Sequence, residues 1–390
     1  MQFMEDGTKD NGRPFFLTVA PVGPHTQTIF PGTPQNPSAF PIFDPPVPAQ
    51  RHQNLYQGVK VPRTGSYNPN VPNSPSYVKN LPQWNQTVVD YYDEFYRLRL
   101  ASLAAVDDLV NSIVTKAQDL HILDNTVFIY TSDNGYHIGQ HRLPAGKSCA
   151  YEEDISVPFF VRGPGIPKNA TVYSPTSHTD VAPAIFALAG IPPRDDFDGI
   201  AIPYPLDNNQ VVKAEHVNVE FWGSQIPEGK YGPSLMPTFN NNTYKALRLI
   251  SDDFNLLYVV WCTNERELYE MNNDPIQMQN LAITFGAPLA PSSPGTAPFN
   301  SAEYVANIQN RVDTLLMVLK TCKGRTCVQP WRVMHQDGSV NSLKDAMDSK
   351  YDSFYAGQPK IRYVTCAQGY LRGLEGPGAD TGSVKAYYVG

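Results

Sequence analysis

The chain has 390 residues, enough for two to three domains at about 150 residues each and for a core that needs no covalent staple. Lys+Arg total 30 against 37 Asp+Glu, a formal net charge of −7, which argues against the basic footprint of a nucleic-acid binder. Hydrophobic residues make up 41%, so the chain is globular rather than disordered, yet no apolar run approaches the about 20 residues of a membrane span.

The first sixteen residues, MQFMEDGTKDNGRPFF, have neither the basic start nor the apolar stretch of a signal peptide. Phe15 to Ala20 (FFLTVA) is a short apolar run bounded by prolines and predicts a buried strand. Proline then dominates: 15 of the 36 lie between Pro14 and Pro82, and none between Gln83 and Leu143. The stretch from Pro21 to Pro82 has no periodicity and reads as a long loop, the kind of segment that shapes the mouth of a site.

Val88 to Ala117 is the clearest helix. Leu103, Val106, Val110, Ile113 and Ala117 recur at spacings of three and four and form one apolar stripe. Asp107 and Asp108 fall on its polar side and read as a solvated face. Thr126 to Tyr130 (TVFIY) predicts a strand after it, and Val157 to Val161 another. A long helix feeding a short apolar strand suggests an α/β unit with a parallel sheet. Thr179 to Ala189 predicts a helix that starts near His178 or Thr179 and stops at Gly190. From residue 206 the texture changes. His216 to Trp222, Tyr244 to Ile250, Asn255 to Trp261 and Glu267 to Met271 predict successive strands of a second, antiparallel sheet. Ser301 to Lys320 is helical in pattern. The domain expectation is therefore an α/β unit over residues 1–205, a sheet-plus-helix unit over 206–320 and an extension over 321–390.

Of five cysteines, Cys322 and Cys327 in CKGRTC are close enough for a local disulfide, and the odd count leaves at least one thiol free or paired outside the chain. Without a second close pair, a zinc site is not expected. Three Asn-x-Thr sequons, at Asn85, Asn169 and Asn241, point toward secretion.

The densest chemistry lies between Thr131 and Ile166, in TSDNGYHIGQHRLPAGKSCAYEEDISVPFFVRGPGI. Asp133 and Asn134 follow the C-terminal end of a predicted strand, where open α/β sheets bind ligands. A carboxylate beside a side-chain carbonyl supplies the hard oxygens that Ca²⁺ or Mg²⁺ requires. Gly135 permits a sharp turn, and His137, His141 and Lys147 follow within fourteen residues. A lysine beside a divalent cation suits an oxyanion such as sulfate or phosphate. Asp-Asn-Gly alone is ordinary turn composition; the whole block carries the reading.

That block resembles the late signature of type I sulfatases, in the alkaline-phosphatase-like superfamily. It is most similar to fungal arylsulfatases and to the N-acetylglucosamine-6-sulfatase branch. RPFFLTVAPVGPH (13–25), SHTDVAPAIFALAGI (177–191) and ELYEMNNDPIQMQNL (267–281) resemble further elements of the family, in the same order. The resemblance implies an α/β, alkaline-phosphatase-like mixed sheet flanked by helices, lacking its N-terminal strands, with a smaller C-terminal antiparallel sheet. It implies metal-dependent hydrolysis of an aryl or sugar sulfate ester. His25 would protonate the leaving alcohol, Asp133 and Asn134 would ligate Ca²⁺ or Mg²⁺, and Lys147 would hold the sulfate. His137 and His141 would line the mouth of the site or shape substrate choice. The partner would be a small-molecule or glycan sulfate ester, and the location secreted or vacuolar-lysosomal.

The sequence departs from the family in one decisive respect. Type I sulfatases act through a formylglycine made from a C/S-x-P/A-x-R motif, and no Cys or Ser here begins one. Cys262-Thr-Asn-Glu-Arg266 has the arginine but Asn264 where Pro or Ala belongs. The paired aspartates of the family's first strand are missing too; Asp107-Asp108 and Asp195-Asp196 are in the wrong places. The expectation is a truncated sulfatase, inactive or nearly so as given. The alternatives are a non-catalytic sulfatase-like protein that binds metal or sulfated glycan, and a phosphodiesterase or phosphonate hydrolase of the same superfamily.

Overall fold

The computed structural model describes residues 1–9, 13–30, 32, 41–202, 214–236, 242–367 and 369–376. In chain order its elements begin with α1 (Gln2–Lys9) and a small hairpin of β1 (Gln27–Ile29) with β2 (Ile42–Asp44). Then come α2 (Ser76–Lys79), the long α3 (Gln86–Asp119), β3 (Phe128–Thr131), α4 (Glu152–Ile155), β4 (Phe159–Arg162) and α5 (Val181–Leu188). The second part holds β5 (His216–Phe221), α6 (Gly232–Leu235), β6 (Tyr244–Ile250), β7 (Asn255–Trp261), β8 (Arg266–Glu270) and α7 (Ala302–Leu319). Short helical turns follow.

Strands β5 to β8 form one antiparallel sheet in sequence order. The run Leu256 to Cys262 is apolar throughout because both faces of β7 are covered. Successive side chains alternate. Leu256, Tyr258, Val260 and Cys262 pack toward α7 with Val305, Ile308, Val312 and Leu316. Leu257, Val259 and Trp261 pack the other way, against Tyr77, Leu143, Cys149 and Tyr151. The second of these layers joins the sheet to the Asp-Asn-Gly block. The first also takes in Trp331, Tyr355 and Tyr363 from beyond residue 320.

Helix α3 starts at Asn85, whose side chain accepts the Val88 N–H at 3.1 Å. Its buried face runs Val88, Tyr92, Phe95, Ser102 and Val106, and Arg99 has the same helical phase. The expected apolar stripe continues past Val106 only in part: Ala117 is buried, while Val110 is 38% exposed. The proline-rich segment is tied down by charge. Arg63 grips both oxygens of the buried Asp93 at 2.7 and 2.8 Å, and the same carboxylate takes the Val61 N–H at 3.0 Å.

The mixed α/β class with a C-terminal antiparallel sheet is as the sequence implies, but two local expectations fail. Phe15–Ala20 makes no strand ladder, and Phe16 is 67% exposed. An extended apolar run becomes a buried strand only where a neighbour takes its backbone hydrogen bonds, and none lies beside it among the described residues. β3 has one partner, β4, and the pair is antiparallel, with Phe128 opposite Arg162. No parallel pair forms among the described residues.

The Cys322–Cys327 disulfide forms as its spacing allows. Cys262 pairs with Cys366, 104 residues away, which removes it from any nucleophilic role, and Cys149 is a buried free thiol. Asn85 is exposed at its helix start, and Asn169 is exposed in a left-handed turn. Asn241 lies outside the described residues. No helix among the described residues is long and apolar enough to cross a membrane.

Candidate active site and metal centre

Strand β3 ends at Thr131, and the next residues leave the sheet as a self-bonded turn. The Asn134 N–H donates to Asp133 Oδ1 at 3.0 Å, and the Ser132 hydroxyl to the Asn134 carbonyl at 2.8 Å. Asn134 Nδ2 donates to the Gly135 carbonyl at 2.8 Å. Asp133 Oδ2 and Asn134 Oδ1 have no protein partner among the described residues. Asp133 is exposed and Asn134 half-buried. These are hard oxygen donors with free lone pairs, so their chemistry fits Ca²⁺ or Mg²⁺; they are two of the about six to eight oxygens that Ca²⁺ takes.

The chain then turns inward against α4. The Gly135 N–H donates to the Asp154 carbonyl at 2.8 Å and the Tyr136 N–H to the Glu153 carbonyl at 2.6 Å. Gly135 is required by this approach: a Cβ there would lie 2.0 Å from the Glu153 carbonyl oxygen. His137 and Gly146 exchange backbone hydrogen bonds at 3.0 and 3.1 Å. That two-residue ladder sets Lys147 at a fixed offset from the Asp133–Asn134 turn. Lys147 is half-buried and has no ion-pair partner among the described residues. Its charge is free for an anion.

His137 and His141 do not line a mouth. Both are buried, at 1% and 0% exposure. His137 Nδ1 donates to Asp154 Oδ1 at 2.8 Å, and Gln225 Nε2 donates to His137 Nε2 at 2.9 Å, an arrangement that fixes the Nδ1–H tautomer. His141 stacks on Tyr151 with ring centroids 3.9 Å apart, and neither ring nitrogen has a hydrogen-bond partner among the described residues. Burial pushes its pKa down to about 3, so it stays neutral. A polar ring suggested the surface, but partners 17 and 88 residues away hold His137 inside.

His137, Cys149 and Asp154 place ligand-type atoms within 4.8 Å of one another. This cluster is already internally bonded. Asp154 Oδ2 accepts the Cys149 N–H at 2.7 Å as well as the imidazole, and the Cys149 thiol sits 2.9 Å from the Tyr77 hydroxyl. A thiol and an imidazole are softer donors than Ca²⁺ selects. Burial raises the Cys149 pKa well above its usual range, so the thiol stays protonated and inert.

His25 lies in an exposed turn after the cis Gly23–Pro24 bond. Its Nδ1–H donates to the Thr26 carbonyl at 2.8 Å, and Nε2 has no partner among the described residues. Arg99 connects this turn to the Asp-Asn-Gly loop. Its Nη1 donates to the Pro24 carbonyl at 3.0 Å, and its guanidinium lies 3.5 Å from the Tyr136 ring centre. In the sequence Arg99 reads as one of the charges off the apolar stripe, yet in α3 it has the phase of the buried face. Asp154 and His178, whose Nε2 is 3.5 Å from the Thr131 hydroxyl, lie within the motif blocks of the sequence but do not stand out there as site residues, and Gln225 carries no local signal.

The sequence model of the sulfatase family matches residues 1–191. The chain is 43% identical over 379 residues to the sulfatase ppz1 of Metarhizium majus (strain ARSEF 297), covering 97% of this chain and 77% of that protein. It is 37% identical over 380 residues to an arylsulfatase of Volvox carteri, covering 91% and 55%. It is 30% identical over 345 residues to the N-acetylglucosamine-6-sulfatase of Bos taurus, covering 83% and 54%. The chain thus spans about half the length of the last two.

Proposed function

The chain belongs to the sulfatase family, and from that premise we propose that its site binds a sulfate monoester of an aryl alcohol or a sugar for hydrolysis. Asp133 and Asn134 hold a divalent cation, Ca²⁺ or Mg²⁺. When bound, that ion supplies positive charge to the sulfate oxygens. The Lys147 ammonium neutralises the sulfate from the same loop. His25 carries a proton on Nε2 for the departing alcohol oxygen, with its other nitrogen held by Thr26. Such preorganised positive groups act where negative charge grows in the transition state.

The observation that supports this reading most is a single loop with two oxygen donors and a lysine that have no partner among the described residues, joined through the His137–Gly146 pair. The 390 residues contain no formylglycine motif. The chain by itself binds and does not turn over. Secretion into an oxidising compartment accords with two disulfides and two exposed sequons, at Asn85 and Asn169.

Equilibrium dialysis against Ca²⁺ tests the site. The chain binds one ion, and Asp133→Ala and Asn134→Ala each weaken it at least tenfold. Retention of wild-type affinity in both variants defeats the assignment. In parallel, aryl-sulfate hydrolysis by the purified chain stays at the buffer rate; a measurable turnover contradicts the binding-only reading of these 390 residues.

A further inference from the structure

The geometry points to Asp154 and His137 as a positioning pair that locks the cation-binding turn and the sulfate lysine into one unit. The inference rests on the proposed roles of Asp133, Asn134 and Lys147, and concerns what holds them together. Asp154 works on both sides of the loop. Its backbone carbonyl takes the Gly135 N–H at 2.8 Å, one residue after Asn134. Its carboxylate takes the His137 imidazole at 2.8 and 3.0 Å and the Cys149 N–H at 2.7 Å, two residues after Lys147. His137 in turn exchanges backbone bonds with Gly146, one residue before Lys147.

Asp154 therefore fixes the loop at three points: its backbone carbonyl holds the entry beside Asn134, and its carboxylate holds the His137–Gly146 rung at the neck and the exit after Lys147. Gln225 closes the far side of the ring by donating to His137 Nε2 at 2.9 Å. Its own backbone N–H is held by Asn242 Oδ1 at 2.8 Å. Asn242 Nδ2 reaches the Ser148 carbonyl at 3.1 Å. The unit is thus anchored from outside the loop, next to the start of β6. The region is closely packed: a Cβ at Gly146 would lie 3.2 Å from Gln225 Nε2 and 3.3 Å from His137 Nε2. An imidazole braced by a carboxylate in a buried, fully bonded ring holds one orientation, and partners of this kind around a cation site commonly change affinity 10–100-fold.

The test compares Asp154→Ala, Asp154→Asn and His137→Gln in the 390-residue chain, with Asp133→Ala as a reference. The first readout needs no ion. Amide exchange at Cys149, whose acceptor is removed, and at His137 and Gly146 speeds up at least tenfold in Asp154→Ala, while the β6–β7 amides keep wild-type protection. The second is Ca²⁺ affinity, which drops tenfold or more in Asp154→Ala. Asp154→Asn restores both to within about threefold: its Oδ1 still accepts the Cys149 N–H, and its amide can donate to His137 once the ring takes the other tautomer and Gln225 turns over. A plain loss of packing would not be rescued this way.

Unchanged loop exchange in a folded Asp154→Ala overturns the inference, as does Asp154→Asn behaving like Asp154→Ala. If Asp154→Ala fails to fold by near-ultraviolet circular dichroism, His137→Gln carries the same comparison. If Asp133→Ala leaves Ca²⁺ affinity unchanged, the cation reading falls and the exchange result alone decides the positioning role. If Asp133→Ala abolishes binding and Asp154→Ala does not alter it, only the positioning role falls.

Discussion

At the scale of single residues, the site is built from ordinary side chains in unusual company. Gly135 is the sharpest case. In the sequence it reads as a turn glycine, yet it is not among the glycines with a left-handed backbone. It is glycine because the Glu153 carbonyl lies where a Cβ would be. Gly135→Ala therefore pushes the loop off α4 and costs about 1–3 kcal/mol of stability, as overpacking usually does. Urea denaturation measures this; a variant within about 0.5 kcal/mol of wild type shows that the contact is soft. Asp133 and Asn134, just past a strand end, and Lys147 beyond them stand out in the sequence by residue type alone; their cation and sulfate roles are those proposed above. The buried histidines were not legible as such, since nothing local announces Asp154 as a partner or Gln225 as a lid.

At the scale of elements, legibility followed periodicity. The strands of the second sheet and helix α7 lie within a residue or so of their expected ends, because the strands are short β-rich runs, with β7 almost wholly apolar, and the helix is an apolar stripe. Pairing was not legible. β3 and β4 were visible as apolar runs, but their antiparallel partnership depends on which strand edges are in reach. Phe15–Ala20 shows the same limit from the other side: the composition of a strand without a neighbour to pair with. The Cys262–Cys366 bond was also beyond the sequence, whereas Cys322–Cys327 followed from spacing. The long-range bond closes the larger loop and removes more freedom from the unfolded chain. Cys366→Ser accordingly costs about 2–5 kcal/mol in urea unfolding, and Cys322→Ser less; the reverse order contradicts this account.

At the scale of the whole molecule, the sheet is both core and support. One layer beneath it carries α7, and the other carries the site loop through Tyr151, Cys149 and Leu143. Between sheet and loop sits Glu267, fully buried and bonded by Trp261, Tyr151 and Tyr269. Burial raises its pKa to about 7 despite those three donors. Glu153, Glu215 and Asp313 are raised for the same reason. Between the usual carboxylate range and about pH 7 the folded chain holds the Glu267 proton and the unfolded chain does not. Glu267's own contribution to stability is therefore greatest at the acid end of that window and declines as pH rises through 7, while His141, kept neutral by burial down to about pH 3, contributes the opposite slope below its ordinary value of 6.5. Glu267→Gln removes up to one proton's worth of the Glu267 slope, at most about 1.4 kcal/mol per pH unit. Melting curves from pH 5 to 8 whose slope is unaffected by Glu267→Gln contradict the assignment.

The central claim is that a cation and a sulfate share one loop. Calorimetric titration of inorganic sulfate into the chain, with and without saturating Ca²⁺, tests it most directly. The account predicts that Ca²⁺ tightens sulfate binding several-fold. Lys147→Ala should abolish sulfate binding while leaving Ca²⁺ affinity near wild type. Sulfate affinity that is indifferent both to Ca²⁺ and to Lys147 would contradict it.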